Sequence, residues 1–151
     1  MDKTIGYWIE KLIPLIIGVS ITIVLFFNWE KACFLITESF FDKIVGITST
    51  LFGFLLAILA LLIQSDSETV SLMKTHKSFS RLISLNKTTV ISSMVNCFLA
   101  FITSSSKEYL EEHFIFILKI LESSTFGLFC FVLTSSFIFT LIFYKIILND
   151  A

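Results

Sequence analysis

The chain has 151 residues, 56% hydrophobic and only 15% charged, with 18 Phe and a single Pro, and its mean hydropathy is +0.92. That balance excludes a soluble globule. With 11 Lys and Arg against 12 Asp and Glu, the formal charge is −1, which leaves no basic excess to neutralise phosphates and argues against direct nucleic-acid binding.

Stretches free of Asp, Glu, Lys and Arg run from Leu12 to Trp29, Ile44 to Ser65, Thr88 to Ser106 and Ser123 to Tyr144, which is 18, 22, 19 and 22 residues. A bilayer core of roughly 30 Å takes about 20 helical residues, and a helix satisfies its own backbone where no water can. The predicted fold class is therefore all-α, an integral membrane protein with one four-helix transmembrane domain over 1–151. Its spans fall near 9–29, 44–65, 86–106 and 123–146, with outer loops 30–43 and 107–122 and a cytoplasmic loop 66–86.

In the first span, Tyr7 and Trp8 at one end and Trp29 at the other suit the two headgroup levels. Pro14 falls in the first turns of the apolar run, where its missing N–H costs least; a mild kink is the alternative. No small-residue cleavage site follows, and Glu30 and Lys31 precede Ala32 and Cys33, so the segment reads as a retained helix and not a signal peptide. The first outer loop adds Phe34, Leu35, Ile36, Phe40 and Phe41, suited to the outer leaflet.

The second span carries Gly46, Thr50, Gly53, Ala57, Ala60 and Gln64 at steps of 4, 3, 4, 3 and 4. Membrane helices associate through small residues that permit close backbone approach, so this stripe is expected to be a helix-packing or oligomer seam. The cytoplasmic loop then opens with Ser65 and Glu68 at capping-box spacing. Leu72, His76, Phe79 and Ile83 follow on one helical face, and Lys74, Lys77 and Arg81 on another. This basic amphipathic helix has two readings, either an interfacial helix on anionic headgroups or a docking face for an acidic cytosolic protein.

The third span presents Thr89, Ser93, Asn96, Ala100 and Thr103 along one face. An amide at mid-bilayer needs a partner, so this polar intramembrane face is intramolecular glue or the lining of a pore or oligomer seam. The second outer loop repeats Leu110, Phe114, Ile117 and Leu121 opposite its charges and should be helical, lying on the outer leaflet or extending the last span. That span intersperses Gly127, Cys130, Thr134, Ser135, Ser136, Thr140 and Tyr144 among apolar residues. Hydroxyls there are expected to bond back to their own i−4 carbonyls, so they do not by themselves make a channel.

Orientation follows the Lys and Arg bias of short flanks. Lys3, Lys11, Lys74, Lys77, Arg81, Lys87 and Lys145 share one side, against Lys31, Lys43, Lys107 and Lys119. The prediction is a bacterial inner-membrane protein with both termini cytoplasmic and acidic outer loops carrying Glu30, Glu38, Asp42, Glu108, Glu111, Glu112 and Glu122.

The four uncharged runs contain no His either, so no ionisable Asp, Glu, Lys, Arg or His lies deep in a predicted span, which weighs against proton-coupled transport. His76 and His113 fall on opposite sides, and Cys33, Cys97 and Cys130 lack C-x-x-C spacing, so no metal site is expected. Of these, Cys33 on the oxidising side is the candidate for an interchain disulfide. Phosphate-loop, zinc-protease and nucleophile-elbow motifs are absent. Neither an enzyme, nor a cofactor, nor a small-molecule substrate is expected.

The block from Leu51 to Ala57 through Gln64, the Ser65–Glu68 turn and the basic Lys74–Arg81 stretch resemble small four-span membrane proteins of bacterial anti-phage defence islands, among them the membrane subunits of Kiwa systems. The resemblance covers mainly residues 44–105. It implies an inner-membrane homo-oligomer that detects phage-induced disturbance and works with a cytosolic DNA-binding protein, with Lys74, Lys77 and Arg81 on the partner side. The expected function is thus a membrane sensor and scaffold whose outer loops feel envelope perturbation. The alternative is an oligomeric pore, holin-like or abortive-infection in type, lined by the third span.

Overall fold

Apolar residues repeat at helical spacing even through the charged 107–122 segment, and each helix bonds its own backbone, so long helices are the expected outcome. The structure, a computed structural model, describes residues 3–32, 38–64 and 77–149. Its helices are α1 (Lys3–Phe27), the short α2 (Trp29–Ala32), α3 (Glu38–Gln64), α4 (Lys77–His113) and α5 (Ile115–Asn149). Four of them, α1, α3, α4 and α5, are long and apolar enough to cross a membrane.

The segment predicted as the second outer loop is not a separate element. Helix α4 continues through it to His113 and α5 begins at Ile115, so both predicted span boundaries fall inside continuous helix. Phe114 is the apex: its N–H donates to the Leu110 carbonyl at 2.8 Å, while its own carbonyl accepts from Ile117 at 2.9 Å. The two helices fold back on each other there, which brings Thr103 opposite Thr125 and Thr89 opposite Ser135.

Packing runs in a row, α1 along α5, α5 along α4 and α4 along α3. Neighbours are antiparallel, so the Lys3 end of α1, the Gln64 end of α3, the Lys77 end of α4 and the Asn149 end of α5 lie together. Helix α1 meets α5 at two glycines. A Cβ on Gly18 would stand 2.9 Å from the Gly127 carbonyl oxygen, and one on Gly127 would collide with the Thr22 hydroxyl. Only residues without side chains allow that approach.

Large apolar side chains face outward on every long helix, including Val24, Phe54, Leu61, Phe98, Phe101 and Phe137. So much outward apolar surface suits a hydrocarbon solvent. The apolar core is correspondingly small. Leu55, Phe79, Leu82, Val90 and Phe139 form one cluster, and Phe41, Ile44 and Ala100 another.

Two local expectations change. Phe79 and Ile83, read as the apolar face of an interfacial helix, belong to the first turns of α4 and pack in the core cluster. Pro14 is interior to α1, which begins eleven residues earlier at Lys3. The expected capping turn at Ser65 to Glu68, the residues Leu72, Lys74 and His76, and Cys33 to Ile36 lie outside the described residues.

Candidate functional site

The polar face expected on the third span is the inner seam of the bundle. Thr89, Ser93, Asn96, Ala100 and Thr103 of α4 are all completely buried. Alternation of 4 and 3 along a helix keeps side chains on one face, and here that face meets α5. The Thr89 and Ser135 hydroxyls are 2.6 Å apart, and those of Thr103 and Thr125 are 3.3 Å apart. Hydroxyls also bond back by one turn as expected: Thr48 to Ile44, Ser93 to Thr89, Thr134 to Cys130 and Thr140 to Ser136, at 2.7 to 2.9 Å. On the α3 side, Asn86 Nδ2 donates to the Leu55 carbonyl at 3.1 Å.

Asn96 differs from these neighbours. Its Nδ2 and Oδ1 are both buried and have no hydrogen-bond partner among the described residues. It sits roughly midway along α4 between Arg81 and Lys107.

The expected small-residue seam has the opposite disposition. At about 100° per residue, Gly46, Thr50, Gly53, Ala57 and Ala60 fall on the side of α3 away from Thr48 and Leu55, and all five are exposed. A Cβ at Gly46 or Gly53 would meet nothing within 4 Å. Within the chain, close packing uses Gly18 and Gly127 instead. Of this pair the sequence reading singled out only Gly127; Gly18 stands one turn before Thr22, which donates back to its carbonyl at 3.0 Å.

Each end of the bundle holds an ion pair. At the Lys3 end, Arg81 Nη2 of α4 lies 2.8 Å from Glu10 Oε2 of α1, with both side chains about a third exposed (29% and 33%). Of the basic triad, Arg81 thus faces α1, Lys77 opens α4, and Lys74 lies outside the described residues. At the other end, Lys107 Nζ is 3.2 Å from Glu122 Oε1, and Trp29 Nε1 donates to Glu122 Oε2 at 2.7 Å. Glu122 is only 1% exposed.

That burial corrects the placement of Glu122 among solvated outer-loop carboxylates. Because α5 starts at Ile115, Glu122 is already two turns into the helix and points at α4. The signal for it was a carboxylate one residue before the apolar run, opposite the basic residue just after the preceding one. Around it, Lys119 Nζ sits 4.6 Å from the centre of the Phe26 ring, and Phe40 stacks on Phe126 at 5.5 Å. From Arg81 to Lys107 is about 39 Å at 1.5 Å per residue, close to the roughly 40–45 Å of a bilayer with its headgroup regions.

No cluster of three or more His, Cys, Asp or Glu suited to a metal occurs among the described residues. His113 stacks on Tyr109 at 4.7 Å, with its Nδ1 3.2 Å from the Tyr109 carbonyl oxygen. No protein-family model matches the chain, nor does any curated protein or solved structure.

Proposed function

We propose that this chain is a non-catalytic sensor and scaffold subunit in a bacterial inner membrane, with both termini cytoplasmic, that couples envelope perturbation to a cytosolic effector of an anti-phage defence complex. The observation that carries the reading is a division of labour between faces. Polar groups of α4 and α5 are spent on holding one chain together, whereas the small-residue stripe of α3 is turned outward, where another copy can approach. Asp42 and Lys43 flank that stripe on either side, both exposed. Across a parallel two-fold contact, Asp42 of each copy would face Lys43 of the other, so homo-oligomerisation through α3 is part of the proposal.

The basic segment ahead of and within α4 is the proposed partner surface, and the pairing of Arg81 with Glu10 sharpens its test. Arg81→Glu would break an internal contact, so Lys74→Glu/Lys77→Glu is the informative variant. Tagged protein expressed in its own gene neighbourhood should co-purify with a stoichiometric cytosolic protein, and the double variant should lose it while remaining in the membrane fraction. A homo-oligomer with no such partner, or a partner indifferent to the double variant, would overturn the scaffold reading.

One observation favours the runner-up, an oligomeric pore: the unpartnered Asn96 amide at mid-seam. A seam that opens would hydrate that amide. Dye release from vesicles that Asn96→Leu abolishes would support this reading, and tight vesicles under tension and depolarisation would end it.

A further inference from the structure

Helices α1 and α4 lie on either side of α5, and Glu10 and Arg81 join them at the Lys3 end. Beyond that pair a cleft runs between them with α5 as its floor. Its first part carries the charged groups of Glu10, Lys11 and Arg81, with Ser84, Leu85 and Thr88 beside them. Pro14 borders it too, and having no N–H it leaves the Glu10 carbonyl without the donor that α-helical bonding would supply.

One turn further along α5, between the same two helices, lies an apolar groove of about 360 Å³. Leu15 and Val19 form one wall, Leu99 the other, and Leu128 and Phe131 the base. Gly18 and Gly127, where α1 and α5 touch most closely, line it as well.

We propose that this cleft binds one phospholipid, with an acyl chain in the groove and the headgroup at Lys11 and Arg81. Charge and length both select that occupant. Lys11 is exposed at the rim and makes no ion pair among the described residues, so it is available to a phosphate. The Glu10 carboxylate and carbonyl beside it suit the ammonium of a zwitterionic headgroup. From Lys11 to Thr22 is about 16 Å of helix, half of the roughly 30 Å hydrocarbon core and therefore one leaflet deep. The inference rests on the membrane-spanning reading and is independent of the defence role.

Protein reconstituted into vesicles of phosphatidylethanolamine and phosphatidylglycerol, re-extracted in mild detergent and weighed by native mass spectrometry should retain one phospholipid per chain. Val19→Trp, which fills the groove, should abolish retention. Lys11→Gln should lower it about fivefold, the worth of one cation beside a phosphate. Phe54→Trp on the outer face of α3 should leave it unchanged. Helix content by circular dichroism and resistance to carbonate extraction separate loss of the site from loss of the fold or of the membrane. A folded, carbonate-resistant chain that carries no lipid, or a second copy in the groove that Val19→Trp displaces, would overturn the proposal. So would equal lipid loss in Phe54→Trp and Val19→Trp. Release by carbonate would overturn the membrane reading and this inference with it.

Discussion

The two ends of the bundle carry the same chemistry in different surroundings. Glu122 is sealed from solvent against Lys107 and Trp29, whereas Glu10 and Arg81 remain about a third exposed. An exposed pair gains little, because water solvates both charges well and salt screens them. A buried pair gains little over a well-packed apolar pair either, yet losing one partner strands the other charge. The Glu122 end is therefore brittle and the Glu10 end forgiving. The first ties α2, just past the end of α1, to α5, and the second ties the start of α1 to α4, so the difference says which end of α1 can move.

The strongest way to break this contrast is to strand Glu122. Lys107→Met should destabilise the folded chain by about 3–5 kcal/mol, read by thermal unfolding in detergent with Trp29 fluorescence as a local reporter. Lys107→Met/Glu122→Gln should recover most of that loss, because the amide oxygen still accepts from Trp29 and no charge is left buried. A single variant no more costly than its counterpart at Arg81 would show that burial does not separate the two ends.

Between the ends, α1 is held by its glycine crossing, which sharpens the comparison. Gly127→Ala places a methyl against the Thr22 hydroxyl and 2.7 Å from the Gly18 carbonyl oxygen. Backbone atoms cannot swing aside, so α1 must shift, at about 1–3 kcal/mol. Gly53→Ala is the matched control. Its Cβ enters open space, and the same methyl should leave single-chain stability unchanged while weakening self-association in a crosslinking assay.

Much of this was legible in the sequence, and what was not has a physical reason. The four long apolar helices followed from the uncharged runs. The Thr89 to Thr103 face followed from period, although periodicity states only that these residues share a face and not which neighbour covers it. For the same reason the α3 stripe read as a seam without saying that it faces away from the other helices of the chain. Glu122 escaped because charge-free counting places every boundary at the nearest charge. A carboxylate that finds a cation on the facing helix does not end a span; it enters the bundle. Gly18 escaped because one glycine carries no period, and its role exists only when Gly127 arrives opposite it.

The smallest expected effect lies at the Glu10 end, and its value is in its sign with salt. Glu10→Gln removes the carboxylate from Arg81 and should cost about 0.2–1 kcal/mol, near the limit of an unfolding measurement. Ionic strength separates the pair more cleanly. Raising salt from about 0.1 M to 1 M shortens the Debye length from about 10 Å to 3 Å, so the partly exposed Glu10–Arg81 attraction weakens while the sealed Glu122–Lys107 pair is scarcely touched. Wild-type protein should lose a small increment of stability over that range and Glu10→Gln should not. An increment that persisted in Glu10→Gln and disappeared in Lys107→Met/Glu122→Gln would place the salt-sensitive attachment at the Glu122 end and reverse which end of α1 is free to move.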